Sequence, residues 1–251
     1  MADFAKESPA IEVHEVSKSF PDADGNRFKA LDGVSFSIPK GSLCVVSGQN
    51  GSGKSLLMNI IAGLEKPASG YVETASKVGL VFQDADSQIL GETPLEDVCF
   101  GLSNIGVRGA AANDAAVGAL RKVGLYEKRN SPAHFLSGGE KRRLAIASIL
   151  ALGFETIIMD EPYSNLDYAG VKDLNQLIGE LSASGVTLVI LTHEIEKCLA
   201  LADRFLVLKK GRLVFDGTPL EGLSIGVETW EDWGIRFPLS AYPSLESLVW
   251  K

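Results

Sequence analysis

Short apolar runs, each ending in a polar or glycine-rich segment, recur along the chain and predict the strands of a sheet. The runs cover residues 43–46, 156–159 and 186–192. Strands that are covered on both faces have continuous apolar runs of this kind, rich in β-branched side chains, and belong to parallel sheets. A further strand is predicted near Arg204, and helices separate the strands. One of these helices carries an apolar face made of Leu174, Leu177, Ile178 and Leu181.

Residues 11–38 have a different pattern, because polar and apolar residues alternate there over short stretches on either side of a polar turn at residues 22–26. Alternation with a period of two is typical of strands that bury one face. A polar turn between two such stretches favours antiparallel pairing. This part of the chain is therefore predicted to form an antiparallel β subdomain.

Residues 84–135 show helical patterns instead. Thr93 and Glu96 have the spacing of a capping box, with a proline at the first helical position. Gly124 closes a predicted helix that begins near Ala112. The sequence thus predicts an α/β fold with a mixed sheet, into which a helical subdomain of about residues 84–135 is inserted.

A glycine-rich segment joins the first apolar run to a predicted helix and fits the pattern Gly-x-x-x-x-Gly-Lys-Ser of a phosphate-binding loop. Backbone N–H groups of such a loop surround phosphate oxygens, and the helix adds its positive N-terminal end. Lys54 is placed to reach the β and γ phosphates of ATP, and Ser55 to ligate Mg²⁺. The predicted nucleotide-binding residues of this loop are Gly48, Gln49, Asn50, Gly51, Ser52, Gly53, Lys54 and Ser55.

Two carboxylates, Asp160 and Glu161, end one predicted strand, and His193 follows another. Ligands of open α/β sheets lie at the carboxyl ends of the strands. Asp160 is placed to hold Mg²⁺ or its water ligands, and Glu161 to polarise the water that attacks the γ-phosphate. His193 is expected at the same sheet edge, where it would hydrogen-bond the γ-phosphate and orient that water.

With these motifs and the segment LSGGE at residues 136–140, the chain resembles the nucleotide-binding subunit of ATP-binding cassette (ABC) transporters over residues 11–220. The resemblance implies the fold of ABC-type P-loop NTPases and a dimer in which the signature of one subunit closes over the nucleotide bound by the other. The signature residues that would contact this nucleotide are Ser137, Gly138 and Gly139. Ser137 and Glu140 also have the spacing of a capping box, which starts a helix whose free N–H groups face an anion.

Other positions match the same family in order along the chain. The resemblance implies that Phe20 stacks on adenine and that Gln83 links Mg²⁺ to a transmembrane partner. It implies communication between protomers through residues 164–167. The implied catalytic residues are Glu161, His193 and Gln83, and the implied metal ligands are Ser55, Gln83 and Asp160.

Residues 81–91 and 96–102 carry a closer likeness, to the energy-coupling factor ATPases, including the cobalt-transporter type, which drive uptake of vitamins and transition-metal ions. Phe154 and Tyr163 depart from the commoner proline and threonine but remove no group that catalysis needs. The resemblance implies an ATPase that powers a membrane uptake transporter through dimer closure, with transmembrane subunits and a substrate-binding membrane subunit as partners. A homodimer is the simplest assembly because both half-sites are complete in one chain, and a heterodimer with a second ATPase stays open.

Composition agrees with a protein that reaches the membrane through its partners. The chain has 251 residues, of which 45% are hydrophobic, enough for an ATPase domain over residues 1–220 followed by a short aromatic tail at residues 221–251. No apolar run approaches the ~20 residues of a membrane helix, and the first residues lack a signal-peptide pattern. Three widely spaced cysteines fit a reducing compartment. We expect a peripheral protein on the cytoplasmic face of the cell membrane.

Other classes of function fit the sequence less well. The net charge of −8 disfavours a general nucleic-acid binder, so no nucleic-acid partner is expected. ABC ATPases that act on DNA need long insertions between the phosphate loop and the signature, and the interval here has no room for them. A stand-alone kinase or GTPase would leave the signature without a role. The alternative that stays open is the ATPase subunit of another type of ABC transporter.

The tail contains all three tryptophans of the chain, Trp230, Trp233 and Trp250, together with Phe237 and Tyr242. Aromatic side chains that cluster in this way need an apolar surface on which to dock. The β lobe of the same subunit is the favoured surface, and the neighbouring protomer is the alternative.

Overall fold

The computed structural model describes residues 9–21 and 26–240. Its strands are β1 (Ile11–Pro21), β2 (Arg27–Ile38), β3 (Leu43–Ser47), β4 (Ser69–Thr74), β5 (Val78–Val81), β6 (Thr156–Asp160), β7 (Thr187–Leu191), β8 (Arg204–Lys209) and β9 (Arg212–Gly217). Its α-helices are α1 (Lys54–Ile61), α2 (Pro94–Asn104), α3 (Gly109–Lys122), α4 (Gly138–Ala151), α5 (Tyr168–Ala183), α6 (Pro219–Leu223) and α7 (Val227–Asp232). Single 3-10 turns lie at Asp86–Gln88, Tyr126–Lys128, Ala133–Phe135, Ile195–Lys197 and Leu199–Leu201. None of the helices in these residues is long and apolar enough to cross a membrane.

A six-stranded sheet in the order β5-β6-β7-β3-β8-β9 forms the centre of the molecule. All neighbouring strands are parallel except β8 and β9, which are antiparallel. Every residue of β3 and β7 is buried, as their continuous apolar runs predict. The predicted strands are therefore confirmed. The antiparallel partner β9 was not predicted, because its apolar run is only three residues long and none of its residues is fully buried.

A second, three-stranded antiparallel sheet has β1 in its centre, between β2 and β4. This confirms the antiparallel pairing predicted for residues 11–38, although the two strands are longer than the short stretches expected. The third strand, β4, was missed because five of its six residues are exposed and carry no apolar pattern. The two sheets share an apolar core to which β1, β2, β3 and α1 contribute.

Helices α2 and α3 pack against α4. Together they contribute to a second apolar core on the opposite face of the six-stranded sheet. Helix α3 begins at Gly109 rather than near Ala112, because the alanine-rich residues before that point favour the helical state. At the start of α2, the Thr93 hydroxyl accepts a hydrogen bond from the Glu96 amide at 3.2 Å. The capping box predicted there is half formed, since the exposed Glu96 side chain does not bond back to Thr93.

The described part of the tail packs on its own subunit. Trp230 is fully buried and stacks on Phe205 of β8 at a centroid distance of 5.5 Å, and its ring N–H donates to the carbonyl of Gly222. Trp233 contacts Phe215 of β9 at 5.4 Å. Docking on the same subunit is thus confirmed for these two tryptophans, but the expected surface was wrong: they pack on β8 and β9 of the six-stranded sheet and not on the antiparallel β lobe. Trp250 and Tyr242 lie outside the described residues.

Candidate active site

The glycine-rich loop between β3 and α1 lies against two other strands at distances that glycine permits. Gly48 has φ +143, and a Cβ at this position would lie 2.0 Å from the Leu208 carbonyl oxygen in β8. Gly53 has φ +102, and a Cβ there would lie 2.7 Å from the Ala30 carbonyl oxygen in β2. Both glycines therefore have a physical reason to be glycine, since side chains would clash and L-residues avoid these φ values.

Lys54 is the first residue of α1, and its side chain turns back into the loop. It is 7% exposed, and its ammonium donates to the carbonyl oxygens of Gly48 at 2.7 Å and Gln49 at 3.1 Å. Burial lowers the pKa of Lys54, and the nearby carboxylates of Glu161 and Asp160 oppose this effect. A cation held by carbonyl oxygens at a helix N-terminus is suited to exchange them for phosphate oxygens.

The strand ends meet at one edge of the sheet, as predicted. Leu191 of β7 pairs with Val46 of β3 on one side and with Asp160 of β6 on the other. The Glu161 amide continues this alignment by donating to the Leu191 carbonyl at 2.8 Å. The residues that follow β3, β6 and β7 are therefore neighbours across the edge.

Glu161 and His193 form a direct pair at this edge. The Glu161 carboxylate accepts a hydrogen bond from the His193 amide at 3.2 Å and lies 2.9 Å from the ring Nδ1 of His193. Glu161 is 8% exposed and has φ +46, which is uncommon for a residue other than glycine. Such backbone strain clusters at functional sites. Glu161 thus has the geometry of a general base whose carboxylate is held in one orientation by His193.

Asp160 and Ser55 are the candidate oxygen ligands for a metal beside Lys54. Ser55 lies close enough to Asp160 to affect the pKa of that carboxyl. Burial raises the pKa of Asp160, and the neighbouring Glu161 raises it further, while Ser55 and Lys54 act in the opposite direction. Hydroxyl and carboxylate oxygens fit Mg²⁺, which takes one or two protein ligands and completes its shell with phosphates and water. A cluster of three or more His, Cys, Asp or Glu residues able to hold a metal is absent from the described residues.

Gln83 lies on the exposed loop after β5. Val81 pairs with Met159, so Gln83 and Glu161 both stand two residues beyond a paired position of neighbouring strands. The Gln83 carbonyl accepts a long hydrogen bond of 3.4 Å from the Arg142 side chain of α4. The register thus places Gln83 at the same edge of the sheet as Asp160.

The signature forms the N-terminus of α4 with the predicted capping box. The Glu140 amide donates to the Ser137 hydroxyl at 3.3 Å, and the Ser137 amide donates to the Glu140 carboxylate at 3.0 Å. Ser137 and Gly138 are exposed. Ser137, Gly138 and Gly139 line a cavity of about 390 Å³ together with residues 165–167. Within the described residues, no hydrogen bond joins this helix end to the phosphate loop.

Phe20 lies in β1, is paired with Phe28 of β2, and is 40% exposed. The Lys18 ammonium lies 5.7 Å from the ring centroid. No hydrogen bond or ring contact links Phe20 to the phosphate loop in the described part of the chain. The adenine-stacking role of Phe20 stays a prediction.

Three contacts of the phosphate loop were not foreseen from the sequence. The Gly211 amide in the β8–β9 turn donates to the Ser52 carbonyl at 3.0 Å. The Leu208 carbonyl covers Gly48, and Gly234 of the tail lies against the Gln49 side chain. A glycine at position 211 signals a turn, but the sequence does not reveal which loop the turn contacts.

Comparison with known proteins places this arrangement in a family. The family model for ABC transporters matches residues 31–164. The chain belongs to the ABC transporter family. The fold class and the ATPase activity expected from the sequence are confirmed.

The relatives that carry this assignment match most of the chain. The cobalt import ATP-binding protein CbiO of Rhodobacter capsulatus is 37% identical over 92% of this chain and 86% of its own length. The energy-coupling factor transporter ATP-binding protein EcfA of Methanocaldococcus jannaschii is 35% identical over 92% of this chain and 87% of its own length. The solved structure of cbiO1 from Clostridium perfringens, described as part of the ABC transporter complex cbiONQ, superimposes with a TM-score of 0.79. It is 31% identical, and the match covers 87% of this chain and 92% of that chain. Within the ABC family the chain is therefore an ATPase of the energy-coupling factor type.

Proposed function

We propose that this energy-coupling factor ATPase hydrolyses MgATP between two ATPase subunits and thereby powers a membrane transporter that takes up a vitamin or a transition-metal ion. The observation that carries the proposal is the convergence of Lys54, Glu161 and His193 at one edge of the sheet. A phosphate-binding cation, a carboxylate and its orienting imidazole are what the hydrolysis of a phosphoanhydride requires.

Each residue of the edge has a distinct task in this proposal. The loop from Gly48 to Gly53 cradles the phosphates with backbone N–H groups, and Lys54 neutralises the β and γ phosphate oxygens. Glu161 accepts the proton of the attacking water, and His193 fixes the direction of that carboxylate and hydrogen-bonds the γ-phosphate.

Magnesium fits the side-chain oxygens of Ser55, Asp160 and Gln83 at this edge of the sheet. Ser55 and Asp160 would hold Mg²⁺, with Gln83 reaching it from the neighbouring loop. When bound, the ion neutralises charge on the phosphate oxygens. Ser55 affects the pKa of Asp160, so the two proposed ligands are close neighbours.

A second ATPase subunit completes the site. The helix end at Ser137 and Gly138 is exposed, is capped, and presents N–H groups to solvent, as an anion-binding helix terminus does. In a closed dimer this terminus would cover the γ-phosphate held by the loop of the other subunit. Both half-sites occur in one chain, which supports a homodimer. A second, different ATPase is the alternative partner.

Membrane subunits would supply the transport pathway, and the ATPase would lie on the cytoplasmic face of the membrane. The Rhodobacter relative is a cobalt import protein, which favours a transition-metal ion over a vitamin. Affinity purification of the chain from detergent-solubilised membranes tests this assembly. Recovery of two membrane proteins, one for coupling and one for solute binding, is expected. Recovery of DNA-bound chain without membrane proteins would contradict it.

The Glu161→Gln variant tests the hydrolytic mechanism. The amide keeps the shape of the side chain but cannot accept a proton, so ATP binding is retained while turnover falls by roughly two orders of magnitude or more. ATP should then hold the variant as a dimer, which light scattering measures.

Glu155→Gln is the matched control, because Glu155 is exposed and precedes β6, at the end of this strand opposite Glu161. This control should hydrolyse ATP at the wild-type rate and should not accumulate as a dimer. Hydrolysis by Glu161→Gln at more than about a tenth of the wild-type rate would reject the role of Glu161.

A further inference from the structure

The C-terminal tail contacts the phosphate loop directly, and the proposed hydrolytic mechanism does not use this contact. Gly234 follows α7 with φ +68. A Cβ at this position would lie 1.9 Å from Gln49 Nε2, 2.1 Å from Cγ and 2.3 Å from Cδ. Most of the Gln49 side chain therefore rests on the face of Gly234 that lacks a side chain.

The turn that carries Gly234 is fixed on both sides. Its backbone closes through hydrogen bonds from the Gly234 amide to Glu231 and from the Ile235 amide to the Trp230 carbonyl. Trp230, Trp233 and Ile235 are buried against the six-stranded sheet. A segment anchored by three buried apolar side chains is rigid enough to act as a support.

An ion pair attaches this support to the end of β8, the strand that also contacts the phosphate loop. Asp232 of α7 pairs with Lys209, the last residue of β8, at 2.6 Å. The residue before it, Leu208, has its carbonyl against Gly48. The tail and the phosphate loop are therefore attached to the same end of β8.

Gln49 connects this support to the phosphate-binding groups. Its carbonyl accepts hydrogen bonds from the Lys54 ammonium and from the Ser52 amide, both inside the loop. The contact with Gly234 thus restrains the residue whose carbonyl holds both the Lys54 ammonium and the Ser52 amide.

We propose that the tail from Gly226 to Ile235 supports the first turn of the phosphate loop and that Gly234 is a positioning residue for ATP binding through its contact with Gln49. This inference rests on the proposed function, because it takes the loop to be the ATP site. Gly234 itself touches no reacting atom. Its effect is confined to the affinity for ATP, because Glu161 and His193 stand at the ends of other strands.

Gly234→Ala tests the proposal. The added Cβ displaces Gln49, so the Kd for a fluorescent ATP analogue and the KM for ATP should rise by about fivefold or more while kcat changes by less than about twofold. The variant should also retain the buried emission of Trp230 and Trp233, which shows that the tail remains docked.

Gly124→Ala is the matched control for backbone strain. Gly124 follows α3 with φ +69, nearly the angle of Gly234, and a Cβ there would meet no atom within 4 Å. Both variants carry the same conformational cost of alanine at a positive φ. A change in ATP affinity shared by both would show that strain, not the Gln49 contact, is responsible.

The double variant Gln49→Ala with Gly234→Ala provides a second, independent readout. Removing Cγ, Cδ and Nε2 of Gln49 removes the atoms that clash, so the double variant should bind ATP no more weakly than Gln49→Ala alone. Two results overturn the proposal. One is wild-type affinity for ATP in Gly234→Ala, and the other is a loss that adds fully to that of Gln49→Ala. Failure of the wild-type chain to bind ATP would instead reject the proposed function.

Discussion

Asp97 is a buried carboxylate whose removal should test how the loop after β5 is held. It is 7% exposed and accepts three hydrogen bonds, from the amides of Leu90 at 2.8 Å and Gly91 at 3.1 Å and from the Ser148 hydroxyl at 2.9 Å. Ser148 belongs to α4, the helix that begins at the signature. The side chain therefore joins the end of the loop to the signature helix.

Asp97→Ala removes all three bonds, whereas Asp97→Asn keeps a carbonyl oxygen for the two amides and an N–H for the Ser148 oxygen. At about 1 kcal/mol net for each bond, the alanine variant should lose about 3 kcal/mol in the free energy of unfolding. Ser148→Ala and Asp97→Asn should each lose about 1 kcal/mol. For a chain of this size, 1 kcal/mol corresponds to about 2–4 °C in Tm.

Thermal unfolding followed by circular dichroism should therefore show a fall of about 6–12 °C for Asp97→Ala. The two conservative variants should lose about 2–4 °C each. Urea unfolding should show an unchanged slope, because the surface exposed on unfolding is the same. Equal Tm values for the alanine and asparagine variants would refute the hydrogen-bond argument, since both lack the charge and only one keeps the bonds.

Two further predictions concern titratable groups. Burial raises the pKa of the Cys198 thiol to about 12 and that of Cys44 further, and it raises the pKa of the less buried Cys99 as well. A thiol reagent at about pH 8 should therefore label at most Cys99 in the folded protein and all three cysteines after denaturation, and rapid labelling of two thiols in the folded state would contradict this. Burial alone would raise the pKa of Glu140, but hydrogen bonds from the Lys128 ammonium and the Ser137 amide bring it below its ordinary value of 4.5. The ionised Glu140 therefore stabilises the folded state fully above pH 4.5, and this stabilisation is lost as the pH falls through the lower pKa of the folded state. The difference in unfolding free energy between wild type and Glu140→Gln should shrink between about pH 6 and pH 3. A difference that stays constant over this range would contradict the assignment.

The elements predicted well from the sequence are those whose local pattern and tertiary environment agree. Strand β3 is apolar throughout, is buried on both faces and leads into a glycine pattern that has few other uses, so both the strand and the loop could be placed. The Ser137 capping box could be placed for a similar reason, because its four residues satisfy each other locally.

The features that escaped prediction depend on contacts between distant parts of the chain. Strand β4 has little apolar pattern and becomes a strand because β1 offers it a free edge. Gly211 and Gly234 have the appearance of ordinary turn glycines, and their proximity to the phosphate loop follows from packing against β8. No local signal in the sequence distinguishes them from Gly124, where an added Cβ would point into open space.

The order of strands in the central sheet has a consequence for how such ATPases can be diversified. Strands β5 and β6 are adjacent and parallel, yet the chain between them contains α2, α3 and α4. The helical excursion thus leaves the sheet at the carboxyl end of β5 and re-enters it at the amino end of the neighbouring strand β6. Lengthening such a connection costs little closure entropy. Exchange of the segment between Gln83 and the signature should therefore leave the registers of β3, β6 and β7 intact. A graft of this segment from another family member would alter the surface offered to a membrane partner while the hydrolytic edge keeps its geometry.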